Sequence, residues 1–187
     1  MKIFLTVVLT IIVLCLLGLI FMYSGIFNVS ILEPSSGFTR WVLNTTMEHS
    51  IESRAEEIDP PDLSDPEMVR EGAAHYAQMC AGCHSTPGKE LNEMAKGMEP
   101  QPPLLYKMDE VGDEAAAEAF WIIKHGIMFT GMPAWGATHS DDKIWNIVAF
   151  LQELPRMSAQ EYQAMTASAS HMEEDEHSEP EGEQHEH

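Results

Sequence analysis

The chain has 187 residues, with 30 Asp and Glu against 10 Lys and Arg, and a formal net charge of −20 at pH 7. Counted by the same residues, 1–27 carry +1, 28–65 carry −6, 66–155 carry −7 and 156–187 carry −8, so the acidity is spread along the chain. That excludes nucleic-acid binding, because phosphate would be repelled, and favours a basic partner surface or a soluble cation. The length allows one small domain with appendages.

Residues 1–27 read as a transmembrane anchor. Ile3 to Ile20 is a nearly unbroken apolar run that extends to Phe27. It is long enough to cross a bilayer as one helix. A cleavable secretory signal has a shorter apolar core and a small-residue cleavage site, so the expectation is an uncleaved signal-anchor. Lys2 on the short side favours a cytoplasmic N-terminus. Cys15 is expected to be an inert membrane cysteine, since Leu14 stands where a lipoprotein signal needs a small residue. Residues 28–65 form a partly helical stalk or linker. Leu43, Met47, Ile51 and Ala55 recur at four-residue spacing, which predicts a helix over 38–58. Such a helix serves as a rigid stalk, docks on a membrane partner, or lies on its own domain; the pattern does not separate these. Asp59-Pro60-Pro61-Asp62 ends it as a short stiff linker.

The main domain is expected over 66–155. A helix over 66–78 leads into Cys80-Ala81-Gly82-Cys83-His84, a C-x-x-C-H run and so a c-type haem attachment sequence. Each residue type has its own chemistry. The thiols of Cys80 and Cys83 add to the two haem vinyl groups, and His84 supplies one axial nitrogen to the iron. Zinc is a poorer reading, because about four ligands would be needed and the remaining cysteine, Cys15, sits in the apolar run. The second axial ligand of such a haem is most often a Met thioether. Met132 in Gly131-Met132-Pro133-Ala134-Trp135 has the frame for it, because its glycine and proline neighbours hold it out of helix. Met128 is the nearest competitor among 13 methionines, and His125 and His139 flank the same loop. A long loop over 85–109, a helix over 113–125 and a last helix over 141–154 complete the domain. Trp121 is expected to line the haem pocket, and no sheet pattern is evident.

On these residues the chain resembles the class I cytochromes c, in their membrane-anchored single-haem bacterial form. The resemblance covers about 66–155 and implies an all-α fold around one covalently attached haem c, preceded here by a single transmembrane helix. It implies that the first and last helices cross at Gly72 and pack Tyr76 against Ile147 and Phe150. It also implies that Pro103 offers its backbone carbonyl to the ring nitrogen of His84. Attachment of haem on the outer side of the bacterial cytoplasmic membrane would put the domain in the periplasm.

Residues 156–187 are expected to be an acidic, His-rich, disordered tail, because the composition cannot build a core. His171, His177, His185 and His187 offer imidazoles for weak divalent-metal binding, although a solubilising tail is the plainer reading. The function implied by this set is single-electron transfer between respiratory donors and acceptors at the membrane, with redox proteins as partners and no enzyme activity of its own. One alternative is a fixed haem c subunit of a larger membrane oxidoreductase. Another is a haem sensor or peroxidase with an open iron site.

Overall fold

The computed structural model describes residues 1–33, 36–108 and 112–176, and among these it is helical with no strand. The chain divides into two units, Met1–Gly37 and Phe38–His187. In the first, helix α1 (Lys2–Tyr23) has 22 residues, about 33 Å at 1.5 Å per residue, against a hydrocarbon layer of about 30 Å. It is long and apolar enough to cross a membrane, and none of its residues is buried. Its two threonines return their hydroxyls to the helix, Thr6 to the Lys2 carbonyl at 3.0 Å and Thr10 to the Thr6 carbonyl at 2.9 Å. Both hydroxyls are thereby satisfied within the helix, as an apolar surround requires.

In the second unit, α2 (Gly37–Ala55) settles the question its apolar stripe left open. Ile51 and Ala55 are buried, and Ile58 just beyond it packs on the domain core. Arg54 lies over the Trp121 ring at 6.0 Å. The C-terminal half of α2 therefore lies on its own domain. Its N-terminal half differs, with Phe38, Trp41 and Leu43 all more than half exposed.

The domain is built on a helix crossing. Helix α3 (Pro66–His75) starts at Asp65, whose side chain accepts from the Glu67 amide, with proline at the first helical position. Helix α7 (Asp141–Glu153) starts at Ser140, which accepts from the Lys143 amide, and its first turn is acidic, as the helix dipole favours. The two cross at Gly72. A Cβ there would stand 1.9 Å from the Asn146 carbonyl oxygen and 2.9 Å from Phe150 Cβ, so only glycine lets the backbones meet. Past the crossing, Tyr76 and Phe150 pack at 5.3 Å between ring centroids. The expected crossing and its aromatic pair are therefore both present. Helix α6 (Asp113–His125) packs on α7, with Phe120 stacked on Trp145 at 4.1 Å.

Two expectations need correction. The 85–109 loop is not plain loop: it holds a short helix, α5 (Glu93–Lys96), and a 3₁₀ turn at Leu105–Lys107. The segment after 155 is not disordered at its start. Helix α8 spans Ala159–Glu176, and Tyr162 is buried against Tyr76 and Phe150, 6.2 Å from each ring. Tyr162, with Met157 and Met165 packed against the same cluster, gives the start of α8 an apolar anchor on the core. His171 falls in α8, whereas His177, His185 and His187 lie outside the described residues.

Candidate functional site

The attachment run lies where α3 changes pitch. Residues Tyr76–Cys80 form a π-helical turn, which passes into α4 (Ala81–His84). Such a turn inserts an extra residue and re-aims the side chains that follow. The reason for the stop is local: Tyr76 is fully buried, and its hydroxyl donates to the Ser85 carbonyl at 2.7 Å across the attachment run. Ser85 has a φ of 64° and is itself buried. Its hydroxyl donates to the Glu90 carbonyl at 2.9 Å, which holds the sharp exit from α4. Cys80 and Cys83 are free thiols. Burial, with a smaller effect from Cys83, pushes the Cys80 thiol up to about 12, so it stays a neutral thiol.

His84 Nδ1 lies 2.9 Å from the Pro103 carbonyl oxygen. A carbonyl only accepts, so Nδ1 carries the proton and Nε2 keeps the lone pair that an iron ligand needs. Burial holds the His84 imidazole below its ordinary range, partly offset by the Pro103 bond. A neutral ring of fixed tautomer and two free thiols in adjoining turns suit a c-type haem. The expected contact between Pro103 and His84 is thus present.

The loop with Met132 is closed by glycines and short hydrogen bonds. Gly126 ends α6 with a φ of 66°, and a Cβ on it would stand 2.8 Å from Met132 O and from Ala134 N. The Ile127 amide donates to the Met132 carbonyl at 3.3 Å, and Thr130 Oγ1 accepts from the Met132 amide at 3.1 Å. Met132 is partly buried against the core of Phe120, Ile123, Ile144 and Val148, and Met79, the neighbour of Cys80, packs on that same core. Met128 is instead 79 % exposed and Phe129 90 % exposed, with Phe129 at a φ of 62°. The rival histidines are engaged elsewhere. His125 packs on Trp121 at 4.9 Å, and His139 Nδ1 lies 2.9 Å from Thr138 Oγ1 with its ring against Trp135. Trp121, expected in the haem pocket, lies between Arg54 and His125.

Three residues escaped the sequence reading. Asn92 caps α5 by accepting from the Ala95 amide at 2.8 Å and donates to the Gly82 carbonyl at 2.6 Å, inside the attachment run. Its signal was legible, an Asn before Glu93, as an N-cap. Met98 and Tyr162 carried no such signal. Among the described residues there is no group of three or more His, Cys, Asp or Glu able to hold a metal ion.

Residues 67–151 match the family described as cytochrome c oxidase, cbb3-type, subunit III. No curated protein matches the chain. With the Cys80–His84 run and the Gly72 crossing in place, residues 67–151 form a c-type cytochrome domain, and α1, a helix long and apolar enough to cross a membrane, precedes it in the chain.

Proposed function

We propose that the protein is a membrane-anchored electron carrier of the bacterial periplasm, holding one covalently attached haem c with His84 and Met132 as axial ligands. The haem supplies a one-electron iron couple. Around it, this chain's residues hold and tune: Cys80 and Cys83 fix the ring edge, Pro103 orients His84, and Met132 favours the reduced state. The observation that carries this reading is the Pro103–His84 bond beside Cys80 and Cys83, which leaves Nε2 of the attachment-run histidine free to bind a metal. With both axial positions filled, no site remains for substrate, so the role is transfer and not catalysis.

Two surface features support the rest. The stretch 126–140 contains no Asp, Glu, Lys or Arg in an otherwise acidic chain, and it exposes Met128 and Phe129. An apolar centre within an acidic surface suits a redox partner with an apolar patch and a basic rim. Exposed Phe38 and Trp41, packed together at 6.0 Å, lie 15 and 18 residues beyond the end of α1 and suit the lipid interface. Retention of α1 would raise the carrier's concentration at membrane partners.

The match to an oxidase subunit family favours a second reading, a fixed haem subunit of a larger complex. Purification of the full chain in mild detergent separates the two. A monodisperse single polypeptide that retains haem on a denaturing gel and titrates reversibly with one electron supports the carrier. Constant stoichiometry with other chains supports the subunit. Haem lost on the denaturing gel sinks covalent attachment.

A further inference from the structure

The two halves of the proposed iron site are far apart in sequence, and α5 bridges them. At its start, Asn92 donates to Gly82 O, between the two cysteines. Its middle is anchored by Ala95, which is fully buried. At its end, the Gly97 amide donates to Glu93 O at 3.1 Å and the Met98 amide to Ala95 O at 3.2 Å, so Met98 leaves from a fixed backbone. Gln101 Nε2 closes that end by donating to Lys96 O at 3.0 Å. The Met98 side chain then reaches the other half. A Cβ on Gly131 would stand 2.9 Å from Met98 Sδ and 3.5 Å from its Cε. Gly131 immediately precedes Met132, and its missing side chain leaves the slot that the thioether fills.

We propose that Met98 is a positioning residue for the Met132 loop, tying that loop through α5 to the haem-attachment turn. The tie matters because the stretch 127–131, before Met132 itself packs on the core, has few other restraints. Its own hydrogen bonds run within 126–132, and the side chains of Met128 and Phe129 hold nothing. A flexible thioether suits an irregular slot beside a ligand that must stay on iron through both oxidation states. Loosening it would raise the population of loop-open molecules, in which the iron is reachable. This inference rests on Met132 being the sixth ligand.

The test compares full-length holoprotein in detergent, as wild type, Met98→Ala, Met98→Leu, Gly131→Ala and Met132→Ala. It reads the far-red sulfur-to-iron band of the ferric form and the rate of cyanide binding. Met98→Ala should keep the band but bind cyanide about tenfold faster, as expected when a partly buried side chain that restrains a loop is removed. Met98→Leu, of similar volume, should return to within about twofold of wild type. Gly131→Ala should act like Met98→Ala, because the new methyl displaces the thioether while the backbone, not at positive φ, accepts it. Unchanged cyanide rates in Met98→Ala and Gly131→Ala, with the band lost in Met132→Ala, overturn the proposal alone. A band that survives in Met132→Ala overturns the ligand assignment beneath it. If that band then vanishes in Met98→Ala, Met98 is itself the ligand and not a positioning residue.

Discussion

The attachment turn and the Met132 loop hold the two sides of one proposed iron site by different means. The turn at 76–85 grows out of a helix crossing. Its anchors, Tyr76, Phe150 and Leu154, are fully buried, and Tyr76 binds the Ser85 carbonyl across the run. The loop at 126–136 is closed by glycines, by hydrogen bonds of up to 3.3 Å and by one thioether from α5. Cores are close-packed and resist displacement, whereas loops with few buried contacts open locally at little cost. The proximal side is therefore built to be permanent, and the distal side to be adjustable.

The hardest break in this contrast is at the crossing. Gly72→Ala sets a methyl against backbone, not against a movable side chain, and should destabilise the domain by about 3 kcal/mol or more. Thermal melting of the holoprotein, followed by the haem absorbance, measures it; a melting point unchanged from wild type would falsify the permanence of the proximal side.

Next in size is Tyr162. Removing it by Tyr162→Ala should cost about 3 kcal/mol, while Tyr162→Phe should cost under about 1 kcal/mol, because no hydrogen bond to its hydroxyl is needed to seat the ring. Its titration gives a pH test. Burial raises the Tyr162 phenol to about 12 in the fold, against an ordinary value near 10. A raised phenol means that the unfolded chain loses its proton first, so stability is whole below pH 10 and falls as pH rises from 10 to 12. Tyr162→Phe should flatten that fall in alkaline denaturation. An equally steep fall in the variant would move the effect to Tyr76 or elsewhere.

On the adjustable side, Met132→Ala should abolish the far-red band, lower the reduction potential and admit carbon monoxide, because a thioether prefers ferrous iron. Met128→Ala should leave all three unchanged, since its side chain is 79 % exposed. Carbon monoxide binding by the wild type at neutral pH would revive the open-iron reading.

The smallest expected effect is at Arg40. It meets Glu99, next to Met98, at 3.4 Å, and both side chains are well exposed. Arg40→Ala should shift stability by no more than about 0.5 kcal/mol and should lose even that in high salt. A larger shift in cyanide rate than Met98→Ala produces would make α2 a control on the ligand loop.

The parts whose chemistry is local are legible in the chain. The thiol spacing and the following histidine point to a haem run, and the Gly-Met-Pro frame singles out Met132 among the methionines. The apolar face over 113–125 marks α6, and the last helix expected over 141–154 is α7. The resemblance added the Gly72 crossing and the carbonyl of Pro103, and both are present. Contacts between segments that share no pattern emerge only on folding. The first part of the expected tail is α8, whose start is anchored by Tyr162 and Met165 on the core cluster of Tyr76 and Phe150. Trp121 packs with both Arg54 and His125, contacts that no pattern in the chain announces. The choice between stalk and docked helix for α2 depended on whether Ile51 and Ala55 find a neighbour, which periodicity cannot say. Met98 was one methionine among 13, and it became distinct only when the missing side chain of Gly131 was found beside its sulfur. A motif is read from neighbours in the chain; a packing contact exists only after the chain has folded back on itself.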